Sequence, residues 1–393
     1  MVELHLPTFP DLPPHYHTTK GLPPHLMATL KKAFDMANPS FSNILKTLNP
    51  DLLIYDFIQP WAPVVASAQN IPAILFLSSG ASASCFFHHK IKGLGVEFPF
   101  PSIHLEEHEN LKISQLLESS ANQLKDKDRV LECVEKSSYI ILIKTFREIE
   151  AKYIDYLSFL IQKKIVPVGP LVQDLIEEDY QSKFIEWLSK KDQSSAVFVS
   201  FGTEYFLSKE EMEEIAHGLE LSKVNFIWVV RFPEGESMKV DEALPKRFLE
   251  RVGERGMVVE GWAPQGKILE HSSIGGFVSH CGWSSVMEGM KYGVPIIAMP
   301  MHLDQPMNAR LVVEVGVGME VKREKDGRVE RGEVAKVIRE VVVEKEGEEV
   351  RRKSKELSEK MRKKEEEEID GVVEELLQLC KKSDRRNNNL NSL

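Results

Sequence analysis

Five short apolar runs dominate the second half of the chain: "AVFVSFG" (196–202), "NFIWVVR" (225–231), "GMVVEGW" (256–262), "IGGFVSH" (274–280) and "VPIIAMP" (294–300). Each is followed by a helix pattern or a helix-length gap. Runs of this length bounded by turn residues read as buried strands. Strands and helices in alternation predict parallel sheets with helices on both faces. Ser208 with Glu211 three residues later is a capping-box start for the helix "KEEMEEIAHGLEL". The first half repeats the pattern more loosely. "DLLIYD" (51–56), "PAILFLS" (72–78), "YIILIKT" (139–145) and "IVPVGP" (165–170) read as strands, with helical spacing in "PWAPVVASAQN" and "REIEAKYIDYLSFL". Two such sets predict two doubly wound α/β domains with a cleft between them.

The boundary is expected just after "VPVGPLV" (166–172), where Pro170 and the acidic "QDLIEEDYQSK" interrupt the pattern. The expected domains are 1–175 and 176–380, with a disordered tail over 381–393. Within the charge-rich C-terminal region, Leu357, Met361, Ile369 and Val373 form a narrow apolar stripe. At 393 residues with 42% hydrophobic content, the chain is long enough for two ordinary cores. A formal net charge of -10 leaves no basic excess for a polyanion, so nucleic acid is excluded as the main partner. Cys85, Cys133, Cys281 and Cys380 are scattered, which fits neither a disulfide framework nor a zinc site. No run is long enough for a transmembrane segment, and "MVELHLPTFP" is not a signal peptide. A cytoplasmic monomer is expected.

The most informative stretch is "SHCGWSSVMEG" (279–289), where an apolar run ends and a helix begins. A helix N-terminus presents unpaired N–H groups and a partial positive charge, and small residues there let an anion approach. His280, Gly282, Ser285 and Glu288 at that point predict a phosphate site.

The longer stretch from Trp262 to Gln305, "WAPQGKILEHSSIGGFVSHCGWSSVMEGMKYGVPIIAMPMHLDQ", resembles without insertion or deletion the signature box of plant UDP-dependent glycosyltransferases. "VPVGPL", "VFVSFGT", "FIWVVR" and "LPKRFLERVGERGMVVEGW" extend the likeness over nearly the whole second half, and more loosely into the first. The resemblance implies two Rossmann-like domains facing a cleft, the B-type glycosyltransferase fold. It implies that Trp262 stacks on uracil, that Ala263 and Gln265 lie near the base and ribose, and that Glu288 accepts from the ribose hydroxyls. His280, Gly282, Trp283, Ser284, Ser285 and Thr203 match the diphosphate set. Asp304 and Gln305 match the positions that hold the sugar, and Gln rather than His at the last place points to UDP-glucose. Ser284 stands where Asn is commoner, offering one hydroxyl donor in place of an amide's two. No cofactor and no metal are implied, the UDP-sugar being a co-substrate. Every donor residue lies between Thr203 and Gln305, so residues from about Ser182 onward are expected to bind UDP alone.

Similarity to the sugar-on-sugar branch in this box and in "HTTKGLPPHLM" (17–27) widens the acceptor from a small hydroxylated molecule to a glycoside. Members of the family begin with a strand and a Gly-His loop that supplies the general base. Here "MVELHLP" resembles a later strand, so the first domain is expected to lack its opening βα unit. Asp56 matches the aspartate that orients that histidine. His5, His15, His17, His25, His88 and His89 follow no Gly-rich turn and read as surface or packing residues. The leading expectation is an inverting glucosyltransferase whose transfer is poor in this chain as given. A non-catalytic UDP-binding protein or incomplete copy is the alternative, and a sugar-phosphate epimerase of similar form lacks support from the box.

Overall fold

The computed structural model describes residues 1–173, 183–232 and 240–390, so most of the expected linker (174–182) and residues 391–393 lie outside the described residues. The chain divides into two compact units. Unit 1 is Met1–Pro99, Ser114–Gly169 and Lys364–Leu393; unit 2 is Phe100–Ile113 and Pro170–Lys363. A single cut at 175/176 is thus corrected in two places. Residues 100–113 belong with the second unit, and the last part of the chain belongs with the first.

In unit 1, β1 (Leu53–Tyr55), β2 (Ala73–Leu77), β3 (Ile140–Ile143) and β4 (Lys164–Pro167) form a parallel sheet in the order β1-β2-β3-β4. Strands following the chain without reversal give the arrangement of one half of a doubly wound sheet. "MVELHLP" is not a strand: residues 1–8 carry no regular structure, and Pro7 and Pro10 remove donors that a ladder needs. Helix α1 (Ala81–Lys92) starts on the buried Glu150, whose carboxylate accepts from Ala81 N and Ser82 N at 2.7 Å each and from the Thr145 hydroxyl at 2.6 Å. Burial pushes that carboxyl up, and these hydrogen bonds pull it back.

Unit 2 holds β5 (Ala196–Ser200), β6 (Asn225–Val230), β7 (Gly256–Glu260), β8 (Ile274–Ser279), β9 (Ile296–Ala298) and β10 (Gly318–Glu320). All are parallel, in the order β10-β9-β8-β5-β6-β7. The order reverses between β5 and β8. Val197, Val199, Phe226 and Trp228 enter one core; Phe198, Ile227, Val229 and Phe277 enter the other. Alternate side chains buried on opposite faces are why these strands read as continuous apolar runs. Strand β10 was not expected, because Gly318, Met319 and Glu320 hold a single large apolar residue. Helix α2 (Glu107–Glu118) lies before these strands in sequence. Helices α3 (Lys209–Ser222), α4 (Trp283–Lys291), α5 (Gln305–Val315) and α6 (Arg331–Val342) follow strands. Helix α3 carries the full capping box: Glu211 N donates to the Ser208 hydroxyl and Ser208 N to the Glu211 carboxylate.

The last helix, α7 (Glu348–Leu390), is helical through most of the expected disordered tail. Once a helix is nucleated, each added residue costs little. Leu357 and Met361 are buried as the stripe requires, but Ile369 and Val373 are exposed. The stripe continues instead at Val372, Leu376 and Leu379, which pack in the unit 1 core. An eleven-residue step from Met361 to Val372 keeps a straight helix on one face where a heptad step drifts.

Within unit 2 an ion triad is buried. Arg310 Nη2 on α5 donates to both oxygens of Glu109 at 3.0 and 2.8 Å, and Arg310 Nη1 lies 3.0 Å from Glu320 on β10. Glu109 and Lys112, which reaches Met301 O, tie 100–113 to this unit, and a piece beginning near Ser182 lacks both. Removing one member of a buried ion cluster strands the others. Arg310→Met is therefore expected to lower stability by about 3 to 5 kcal/mol, against about 1 kcal/mol for loss of the α3 cap in Ser208→Ala. Urea unfolding of both variants checks this, and an Arg310→Met loss no larger than the cap's would show the triad to be dispensable.

Candidate functional site

A cavity of about 410 Å³ opens in unit 2 at the carboxyl ends of five neighbouring strands. The turn after β5 supplies Gly202 and Thr203, and Arg231 follows β6. Trp262 and Ala263 follow β7, His280 and Gly282 follow β8, and His302 to Gln305 follow β9. This is the point where the strand order reverses, the place where open α/β sheets leave a crevice. Gln265, Trp283, Ser284 and Ser285 complete the expected set along the wall. Glu288 stands behind it, accepting from the Gln265 amide at 2.9 Å, while the same amide lies 3.3 Å from the Ser285 hydroxyl.

Individual side chains differ in what they offer. Trp262 is 65% exposed, which rules out a core tryptophan and leaves its ring face free for a flat ligand. Trp283 is buried, so its ring serves the core of the helix start. Gly282 is the N-cap of α4 and brings no side chain to cap it. A Cβ on Gly202, whose φ is +76°, would sit 2.7 Å from His280 Nε2, and one on Gly282 would sit 2.5 Å from the same atom. Only glycines let both turns close on the ring. Gln305 Oε1 accepts from Met301 N and His302 N, each at 3.0 Å, which leaves the NH₂ end for a ligand. Asp304 accepts from Asn308 Nδ2 at 3.0 Å, and burial pushes its carboxyl up.

His280 is buried, and its imidazole is lowered to about 4 by burial first and by nearby His302 second, against a hydrogen bond to the Ser200 backbone. It is a neutral ring at pH 7. Burial lowers His302 as well. Sequence reasoning did not single out Glu204, Tyr205, Arg231 and His302, which also line the cavity. Their position directly after strand runs, or beside residues already chosen, was the available signal.

Asp56 lies in unit 1 just after β1, its carboxylate accepting from Phe57 N at 2.6 Å and pushed up by burial. Among the described residues it has no histidine partner. Three of the first-half histidines are engaged locally: His88 Nδ1 lies 2.8 Å from Ser84 O, His89 bridges the Tyr156 hydroxyl and Val96 O, and His17 reaches Leu12 O. Among the described residues no three histidine, cysteine, aspartate or glutamate side chains are grouped as metal ligands. Nor is any helix long and apolar enough to cross a membrane.

A family model described as "UDP-glucoronosyl and UDP-glucosyl transferase" matches residues 35–355. The chain is 57% identical over 385 residues to UDP-glucosyltransferase 29 of Panax ginseng, covering 97% of this chain and 85% of that protein. It is 53% identical over 392 residues to a beta-D-glucosyl crocetin beta-1,6-glucosyltransferase of Gardenia jasminoides, covering 99% of this chain and 88% of that one. Among solved structures, a Glycyrrhiza uralensis protein complexed with glycyrrhetinic acid 3-O-monoglucuronide superposes with a TM-score of 0.83 at 26% identity, covering 98% of this chain and 85% of the other.

The lowered His280 has a consequence for stability. Below pH 6.5 the unfolded chain takes up a proton on this imidazole, while the folded chain refuses it until about pH 4. Stability is thus lost as pH falls through that window. His280 is expected to account for about 2 kcal/mol of the loss between pH 7.5 and pH 5, and His280→Gln should flatten the slope by that amount. Urea unfolding of both proteins at the two pH values measures it, and identical slopes would contradict the assignment.

Proposed function

Because the chain belongs to the UDP-glucoronosyl and UDP-glucosyl transferase family, we propose that it moves glucose from UDP-glucose to a hydroxyl of a small plant glycoside, with inversion of the anomeric carbon. The observation that carries this reading is the convergence of five strand ends on one cavity lined by a stacking ring, a carboxamide held by Glu288, a helix start and a carboxamide with its NH₂ end free. Trp262 and Ala263 are assigned to the base, Gln265 and Glu288 to the ribose, and Asp304 and Gln305 to the glucosyl hydroxyls. Thr203, His280, Ser284, Ser285 and the Gly282–Trp283 backbone are assigned to the diphosphate. As the glycosidic bond breaks, negative charge grows on the leaving diphosphate, and donors already aimed there stabilise the transition state more than the ground state. A neutral His280 acts as a hydrogen-bond donor in this set. Asp56 is assigned the role of orienting a general-base histidine, which none of the described histidines supplies.

An acceptor that already carries a sugar is supported by likeness to the Gardenia enzyme, named for a glucosylated substrate. Similarity to glucosyltransferases along nearly the whole chain favours transfer over non-catalytic binding and over epimerisation. The chain is proposed to act as a monomer in the cytosol, where the free thiols of Cys85, Cys133 and Cys281 remain reduced.

Calorimetric titration tests the donor assignment. Trp262→Ala and Glu288→Ala should each weaken UDP binding by about 1 to 3 kcal/mol, whereas Gln305→Ala should spare UDP and weaken UDP-glucose. Equal losses of UDP affinity in all three would sink the division into base, ribose and sugar contacts. The acceptor class is tested by UDP release from UDP-glucose with a glucoside and with its aglycone, the glucoside being preferred; preference for the aglycone overturns it.

A further inference from the structure

The cavity contains acids but one fixed positive charge. Glu204 and Asp304 are its carboxylates, His280 and His302 are both held toward neutral imidazole, and among the described residues Arg231 is the one lysine or arginine in the lining. Strand β6 lies between β5 and β7, so Arg231 emerges between the turn that carries Thr203 and the turn that carries Trp262. It also borders a smaller hollow with Gly202, Tyr205 and Leu207, which sets it on the Thr203 side.

Arg231 is half-buried, and its Nε is buried with no hydrogen-bond partner among the described residues. Burial pulls the guanidinium down from its usual range, with no carboxylate among the described residues acting against it. A buried N–H left unmade is costly, and a guanidinium presents a planar fork of donors that matches phosphate oxygens. Uracil and glucose are neutral and give such a charge nothing to balance. A nucleoside diphosphate brings more negative charge than a helix start of roughly +0.5 elementary charge can offset.

On the reading of this cavity as the UDP-sugar site, we propose that Arg231 is a diphosphate-binding residue, supplying the guanidinium charge that no other described lining residue brings. The test is titration of uridine, UMP and UDP into the wild-type chain, Arg231→Gln and Arg231→Lys. Arg231→Gln is expected to lose about 10- to 100-fold in UDP affinity, less for UMP, and to bind uridine within about twofold of wild type, which also reports that the site is folded. Arg231→Lys should recover most of the UDP affinity, and the salt dependence of UDP binding should weaken in Arg231→Gln. Undiminished UDP binding by Arg231→Gln overturns the assignment, as does an equal loss of uridine and UDP, which would make Arg231 a base contact or a structural residue. A wild-type chain that binds no UDP overturns the donor-site reading, and this proposal with it.

Discussion

Burial of one six-stranded parallel sheet on both faces is the constraint on which the rest of unit 2 depends. Alternate residues of β5 and β6 go to opposite cores, Val197 and Val199 to one and Phe198 to the other, so the middles of both faces are apolar and polar residues such as Ser200 and Asn225 stand at the strand ends. Chemistry is thereby confined to the ends of the strands. The reversal of order between β5 and β8 separates their outgoing connections to opposite sides and leaves a gap at their carboxyl ends. That gap is the cavity. Thr203, Trp262, His280 and Gln305 lie far apart in sequence and meet because each lies in the connection or helix start that follows a strand's carboxyl end.

The electrostatics of the cavity follow from the same burial. An imidazole enclosed by two glycine turns loses its charge, since the low-dielectric surroundings favour the neutral form. His280 is therefore held as a neutral ring that adds little field to the cavity. Gln305 is likewise fixed by its surroundings: two backbone N–H groups claim its oxygen, and the amide end is set without depending on ligand. Such prepositioned donors need no reorganisation when charge develops on a leaving group.

Unit 2 also draws on residues that a linear division of the chain would assign elsewhere. Glu109 neutralises Arg310, which is anchored on the opposite side by Glu320 at the sheet's edge strand. Charges so placed hold position more than they add stability, because desolvation offsets much of their attraction while the loss of one partner strands the other. The C-terminal helix shows a related sharing, with Leu357 and Met361 buried early and Leu379 buried in the core of unit 1.

The sequence by itself determined nine of the ten described strands of the two parallel sheets and the helix start after "SHC". It also marked many of the residues that line the cavity, though not Glu204, Tyr205, Arg231 or His302, because burial on two faces writes continuous apolar runs and the strand ends that follow them are marked by Gly, Ser, His and Trp. It missed β10, whose Gly-Met-Glu carries too little apolar signal, and it placed a strand at "MVELHLP", where prolines remove the donors. Only the tertiary structure decided the order of the strands, and with it that Arg231 lies between the Thr203 and Trp262 turns. It alone decided the neutrality of His280, the free end of Gln305 and the membership of Glu109 in unit 2. Periodicity records which face of an element is buried, a property of neighbours along the chain. Charge state, amide orientation and ion pairing depend on groups distant in sequence, whose approach exists only once the sheet has formed.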